Sequence, residues 1–113
     1  AYVAAEGLHG LRKRTRAWKL AKGVEQLPNI RFIPQPVQLL QPREVDRLVE
    51  TLSAHELTPG LIIFDTFARC FLGGDENSAA TMGEAVESVR KIQVATGAAV
   101  LLVHHTRKGD SVE

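Results

Sequence analysis

The chain has 113 residues, of which 44% are hydrophobic and 24% are charged, and its formal net charge is +1. These proportions exclude an intrinsically disordered chain, and so small a net charge gives no general argument for nucleic-acid binding. The apolar runs fall short of the ~20 residues that a membrane-spanning helix needs, so we expect no membrane segment. The lone Cys70 cannot form an internal disulfide, which favours a reducing, cytoplasmic location.

The chain opens with a predicted strand and helix. The apolar run AYVAAE at residues 1–6 is typical of a short strand, and the glycines after it mark a turn. The helix that follows carries Leu8, Leu11 and Trp18 on one face, and Gly23 is a suitable residue to end it.

A second strand and a second helix come next. The segment NIRFIPQP at residues 29–36 predicts a short strand that ends at its prolines, because proline has no amide hydrogen to donate. Pro42 suits the first turn of a helix. The residues after it have the i, i+3, i+4, i+7 spacing of a helix that buries one face: Val45, Leu48, Val49 and Leu52.

The second half of the chain predicts two more strands around a long helix. The segment LIIFD at residues 61–65 is continuously apolar up to its carboxylate, and such strands are typically buried on both faces of a parallel sheet. A polar loop leads to a helix that ends at Gly97, and AAVLLV at residues 98–103 is the fourth strand. The apolar positions of this helix are Met82, Val86, Val89 and Ile92.

The alternation of strands and helices predicts the fold class. It indicates an α/β fold with a mainly parallel sheet of about four strands, flanked by helices on both faces and connected by right-handed crossovers. We expect a single domain over residues 1–113, with no internal repeat.

Ionisable residues stand at the carboxyl end of three predicted strands. Glu6 follows the first strand, Asp65 ends the third, and His104 and His105 follow the fourth. Because ligands of open α/β sheets bind beyond the carboxyl ends of the strands, we expect these side chains to share one site. Two carboxylates and two imidazoles are able to hold a divalent metal, activate a water or contact a phosphate. One such residue alone is equally well explained as a turn cap, but the repetition on three strands favours a functional site.

Three segments of the chain resemble the RecA-like core of the P-loop ATPases: YVAAEG, LIIFDTFARCFLGGDENSA and TGAAVLLVHHTRKGD. The resemblance is closest to the branch that contains RepA-type plasmid replicative helicases and related ATPases of phages and mobile elements, and it covers nearly the whole chain in the right order. It implies that Asp65 is the Walker B aspartate, which holds Mg²⁺ beside the phosphates of ATP, with Thr66 next to it in the nucleotide site. Glu6 matches the catalytic glutamate, the general base that orients and deprotonates the attacking water.

The same resemblance implies further roles. His104 and His105 would occupy the motif that senses the γ-phosphate, and Lys108 would add positive charge to the nucleotide site. Asn77 fits the pattern of the loop after the Walker B strand, without an assigned role. In the family an arginine after the catalytic glutamate serves the subunit interface, and Arg14 and Arg16 both match that position.

The chain departs from the family pattern in two motifs. No GxxxxGK[ST] phosphate-binding sequence occurs in the 113 residues, and in the family this loop precedes the strand that begins here at Ala1. The expected arginine finger would likewise follow Glu113. We therefore expect a central segment of a longer ATPase, inactive by itself, whose parent binds Mg²⁺ and ATP, contacts single-stranded DNA and assembles as a homo-oligomeric, hexameric ring.

The resemblance also predicts the order of the strands in the sheet: second, first, third, fourth. The fourth strand would then present an unpaired apolar edge, and such edges invite pairing with another chain. A dimer formed through this edge is therefore a second hypothesis for the oligomer.

Six basic residues and no acidic ones fall on the first predicted helix: Arg12, Lys13, Arg14, Arg16, Lys19 and Lys22. This cluster is able to attract phosphate or nucleic acid, with Trp18 stacking on a base. The simpler interpretation is a solvated helix face with Trp18 packed in the core beside Leu8 and Leu11, and it is the one we favour.

Two other classes of function stay open at this point. A metal-dependent hydrolase would use Glu6, Asp65 and the two histidines directly as metal ligands. A non-catalytic interaction module would keep the RecA-like fold without nucleotide chemistry. A phosphate-binding loop upstream of Ala1 would decide for the ATPase.

Overall fold

The computed structural model describes residues 1–105. Strands and helices alternate along them in the predicted order: β1 Tyr2–Ala4, α1 Leu8–Lys22, β2 Phe32–Ile33, α2 Pro42–Ala54, β3 Leu61–Asp65, α3 Ala79–Thr96 and β4 Ala99–Val103. A short 3-10 turn, Ala68–Cys70, follows β3. None of the helices within this part of the chain combines the length and the apolar character that crossing a membrane requires.

The four strands form one sheet in the order β2-β1-β3-β4, and every neighbouring pair is parallel. The register sets Ala4 beside Asp65, and Asp65 beside Val103. The carboxyl ends of β1, β3 and β4 therefore meet at one edge of the sheet. The predicted fold class and the predicted strand order are both confirmed, and β4 lies at one margin of the sheet.

The helices lie on both faces of the sheet. The connection from β1 to β2 runs towards one margin and the connection from β3 to β4 towards the other. Right-handed crossovers therefore place α1 on one face and α3 on the opposite face. The helix α2 packs against α3, so α2 and α3 form one layer.

Local sequence explains where the helices begin and end. Pro42 occupies the first turn of α2, where its missing amide hydrogen leaves no hydrogen bond unmade. The Ser78 side chain caps α3 by accepting a hydrogen bond from the Thr81 amide at 3.2 Å. Gly23 and Gly97 end α1 and α3 at φ 63° and 72°, a backbone region that favours glycine.

The core lies between the sheet and the layer of α2 and α3. Ile62 and Phe64 of β3 face this layer, and both are 0% exposed. Both helices of the layer bury residues, and all of these except Ala85 belong to the predicted apolar stripes. The buried residues are Val45, Leu48 and Leu52 on α2, and Ala85 and Ile92 on α3.

Three expectations about burial are wrong. The strand β3 is buried on one face only, because Leu61 on the α1 side is 44% exposed. Trp18 is not in the core: α1 buries none of its residues, and Trp18 is 49% exposed. Val86 of α3 is 59% exposed although it follows the apolar spacing. Periodicity identifies the residues that share a face, but not whether another element packs on that face.

Candidate functional site

A cleft of about 600 Å³ opens at the carboxyl edge of the sheet, between the residues that follow β1, β3 and β4. The structure brings four of the predicted site residues together here. The predicted residues that line the cleft are Glu6, Thr66, His104 and His105, together with Asn77.

Glu6 is held by two donors from the segment that follows β3. The Arg69 Nε atom lies 3.1 Å from the Glu6 Oε2 atom. Hydrogen bonds from Thr66 and then from Arg69 lower the pKa of Glu6 below its ordinary value, and the charge of His105 lowers it slightly further. The Glu6 carboxyl is therefore ionised at neutral pH, which is the state that a proton acceptor requires.

Replacing Arg69 by Ala is expected to raise the pKa of Glu6 towards its ordinary value, because one hydrogen bond and one positive charge are lost. A folded-state pKa below the unfolded value stabilises the fold above the unfolded pKa, and this contribution disappears as the pH falls through the folded pKa. Both side chains are well exposed, at 60% and 41%, so we expect the free energy of unfolding to change by no more than about 0.5 kcal/mol.

The measurement is a titration of the Glu6 side-chain carboxyl by ¹³C NMR in both proteins. Arg90→Ala is the matched control, because Arg90 pairs with Glu87 on α3, away from the cleft. An unchanged Glu6 pKa in Arg69→Ala would show that the ion pair does not govern this carboxylate.

Asp65 ends β3 at the same edge but does not line the cleft. Side chains alternate along a strand, so Asp65 lies on the α1 face, opposite to Phe64. The Tyr2 hydroxyl donates a hydrogen bond to Asp65 Oδ2 on this face. Burial raises the pKa of Tyr2 to about 12, with help from the hydrogen bond and charge of Asp65, and Arg14 partly opposes the shift. Asp65 therefore lies at the predicted edge of the sheet but outside the cleft that the other candidate residues line.

Asp65 fits the role of a single protein carboxylate that holds a magnesium ion. Mg²⁺ usually keeps several waters and takes one or two protein carboxylates together with phosphate oxygens, and Asp65 is suited to that role. Within residues 1–105, no group of three or more His, Cys, Asp or Glu side chains is placed to hold a metal ion. Glu6 pairs with Arg69 while Asp65 pairs with Tyr2, so the two carboxylates do not converge as a metal-dependent hydrolase would require.

The two histidines occupy different positions in the cleft. The His104 Nε2 atom lies 3.3 Å from Glu76 Oε2, and its ring packs at 6.0 Å from the Phe67 ring. His105 is close enough to Glu6 for its charge to influence that carboxylate. Lys108, the remaining predicted nucleotide contact, lies outside the described residues.

The loop between β3 and α3 is shaped by its own polar residues. The backbone amide of Asn77 donates to Asp75 Oδ1 at 2.9 Å, and Ser78 then caps α3. This turn brings Asn77 to the wall of the cleft. The polar composition of the loop therefore has a structural cause in addition to any role in binding.

Three residues of the site were missed by sequence reasoning: Tyr2, Arg69 and Glu76. The position of Arg69 offered a signal, since it closely follows β3, whose carboxyl end was already a candidate site, whereas Glu76 lies farther along the loop before α3. Tyr2 offered none, because its contact with Asp65 depends on the register of β1 against β3.

One family model, described as an AAA domain, matches residues 1–111. The match covers nearly the whole chain and includes all the strand ends that form the candidate site. No curated protein and no solved structure matches the chain.

Proposed function

The chain belongs to the AAA domain family of P-loop ATPases, and on this premise we propose that it forms the central part of an ATP-hydrolysing, RecA-like motor. Mg-ATP would be hydrolysed at the carboxyl edge of the sheet. The observation that supports the proposal is the register, which sets the ends of β1, β3 and β4 side by side. Glu6 and the two histidines line the cleft at this edge of the sheet, and Asp65 ends β3 at the same edge, where α/β folds bind ligands.

Each residue has a separate task in this proposal. Asp65 would hold Mg²⁺, and the ion would supply positive charge that offsets the negative charge of the phosphates. Glu6 would orient the attacking water and accept its proton, because its carboxyl is ionised at neutral pH. Thr66 lines the cleft beside Glu6, and His104 and His105 stand where the γ-phosphate would be sensed.

The phosphate-binding loop of the motor would lie outside these 113 residues, which contain no GxxxxGK[ST] sequence. Residues 1–113 would then form one partial domain without activity of its own. We further propose a helicase or related replication ATPase as the parent, with single-stranded DNA as a partner and a hexameric ring as the assembly. The margin of the sheet at β4 is the surface that a dimer would use instead.

The test is the magnesium dependence of ATP hydrolysis by the full-length parent. Asp65→Asn removes the charge that would hold the ion, so we expect half-maximal activity to require about 10–100-fold more Mg²⁺. Asp75→Asn is the matched control, because this aspartate shapes the nearby loop by accepting from a backbone amide, which asparagine also does. Equal magnesium requirements for the native protein and Asp65→Asn would refute the assignment.

A non-catalytic interaction module, which would keep the α/β fold without nucleotide chemistry, is the second candidate. The same assay separates the two candidates. A full-length parent that neither binds nor hydrolyses ATP would support the interaction module.

A further inference from the structure

A second surface of the chain, distinct from the cleft, has the chemistry of a nucleic-acid site. We propose that α1 and the segment before β2 form a groove that binds single-stranded nucleic acid; we refer to it as the basic groove. It has a volume of about 570 Å³ and shares no lining residue with the cleft at the carboxyl edge of the sheet. The proposal therefore does not depend on the ATPase assignment. Four cations line the groove: Arg12, Arg16, Lys19 and Arg31.

Three of the cations form a row on the α1 wall of the groove, and the fourth stands on the opposite wall. Arg12, Arg16 and Lys19 follow each other at i, i+4 and i+7 on α1, so they share one helix face and rise by about 6 and about 4.5 Å along its axis. Arg31 stands on the opposite wall, where its Nη1 atom donates to the Pro28 carbonyl at 3.1 Å. A row of this kind presents successive positive charges to a phosphate backbone.

These charges are not neutralised within the molecule. No acidic residue lines the groove, and α1 contains none. Among the ion pairs within residues 1–105, none involves a groove cation. A solvated face of an ordinary helix usually mixes both signs of charge, whereas this one keeps a single sign over four turns. Charge complementarity thus requires a polyanion as the occupant.

Exposed apolar and aromatic surface favours nucleic acid over an acidic polypeptide. The wall opposite α1 exposes Ile30 and Phe32, at 42% and 37%. The Phe32 ring lines the groove together with the cations, whereas Trp18, at 49% exposed, lies on another face of α1 and does not line the groove. Aromatic side chains beside a cationic track are the platforms on which unpaired bases stack. An acidic polypeptide would neutralise the charges but would leave the Phe32 ring without a flat partner.

The experiment measures binding of a fluorescein-labelled oligothymidylate of about 16 nucleotides by fluorescence anisotropy, with sodium chloride varied from about 50 to about 200 mM. The triple variant Arg12→Ala/Arg16→Ala/Lys19→Ala is expected to bind at least about tenfold more weakly and to reduce the slope of log K against log salt by about 2. The substituted side chains are largely exposed and alanine favours helix, so we expect the far-UV circular dichroism to be unchanged.

The matched control is Arg43→Ala/Arg47→Ala/Arg90→Ala, which removes the same charge from α2 and α3. We expect it to bind within about twofold of the native chain at about 200 mM salt, where general electrostatic attraction is reduced. The proposal is overturned if the native chain does not bind the oligonucleotide, or if both triple variants lose affinity equally.

Phe32 provides a second readout, because its ring is exposed on the wall of the groove. Phe32→Leu should weaken binding while leaving the salt slope unchanged, whereas Trp18→Leu, outside the groove, should leave the affinity unchanged. Polyglutamate of equal charge is the competitor. If it displaces the oligonucleotide at the same concentration of charge, the groove takes an acidic polypeptide and the nucleic-acid assignment is wrong.

Discussion

Replacing Glu6 by Gln is expected to lower kcat for ATP hydrolysis by the full-length parent by about 10²–10⁴-fold, the usual contribution of a general base. Glutamine keeps the size of the side chain and still accepts a hydrogen bond from Thr66, but its amide cannot take a proton from water. Asp65, the residue proposed to hold Mg²⁺, forms its hydrogen bond with Tyr2 and not with Glu6. The Glu6 substitution should therefore leave Asp65 in place and change the affinity for Mg-ATP little. A fall in kcat with nearly constant nucleotide affinity is the signature of a group that acts in the chemical step.

The matched control is Glu76→Gln. Glu76 lines the same cleft and contacts His104, but it follows no strand of the sheet directly. We expect kcat to change by no more than a few fold in this variant. If hydrolysis survived in Glu6→Gln, or if both variants lost activity equally, the general base would have to be sought elsewhere.

Replacing Phe64 by Ala is expected to reduce the free energy of unfolding by about 3–5 kcal/mol. Phe64 is 0% exposed at the centre of the core, and β3 has hydrogen-bonded neighbours on both sides. The smaller side chain loses transfer free energy and leaves a cavity that β1, β3 and β4 cannot close without breaking their register. A loss of this size is a large share of the total stability of a small domain. Urea denaturation followed by circular dichroism measures it.

Leu101→Ala tests whether burial is the cause. Leu101 lies on the neighbouring strand β4 but is 49% exposed, so its replacement should cost less than about 1 kcal/mol. Equal losses in the two variants would mean that Leu101 is as well packed as Phe64, and hence that the α1 face of the sheet is covered more completely than the structure indicates.

Much of the fold could be predicted because its signals are local. Pro42 and the stripe through Leu48 define α2, and the glycine at 97 ends α3 where the periodicity stops. The strand order followed from the resemblance to RecA-like ATPases, which the family match supports at the level of the AAA domain. Contacts that depend on register, such as Tyr2 with Asp65, have no local signal and could not be predicted.

The candidate site was likewise predictable in part. The polar residues at the strand ends predicted that Glu6, Asp65 and His104 lie at one edge of the sheet, because parallel strands bring their carboxyl ends together. Strand alternation puts Asp65 on the α1 face once Phe64 faces the core. The contact of Glu6 with Arg69 in the cleft depends on the geometry of the loops after β1 and β3, and it could not be predicted.

The amino-acid sequence by itself determined the α/β class and the edge of the sheet that carries the ionisable groups, since both follow from hydrophobic periodicity and residue order. Only the tertiary structure decided how Asp65 and Glu6 are divided between two faces, and that Trp18 lies outside the core. The physical reason is that periodicity specifies which side chains share a face, whereas burial and pairing depend on which other elements pack against it. For α1, whose residues are all at least partly exposed, the result is a basic helix with its charges turned to solvent.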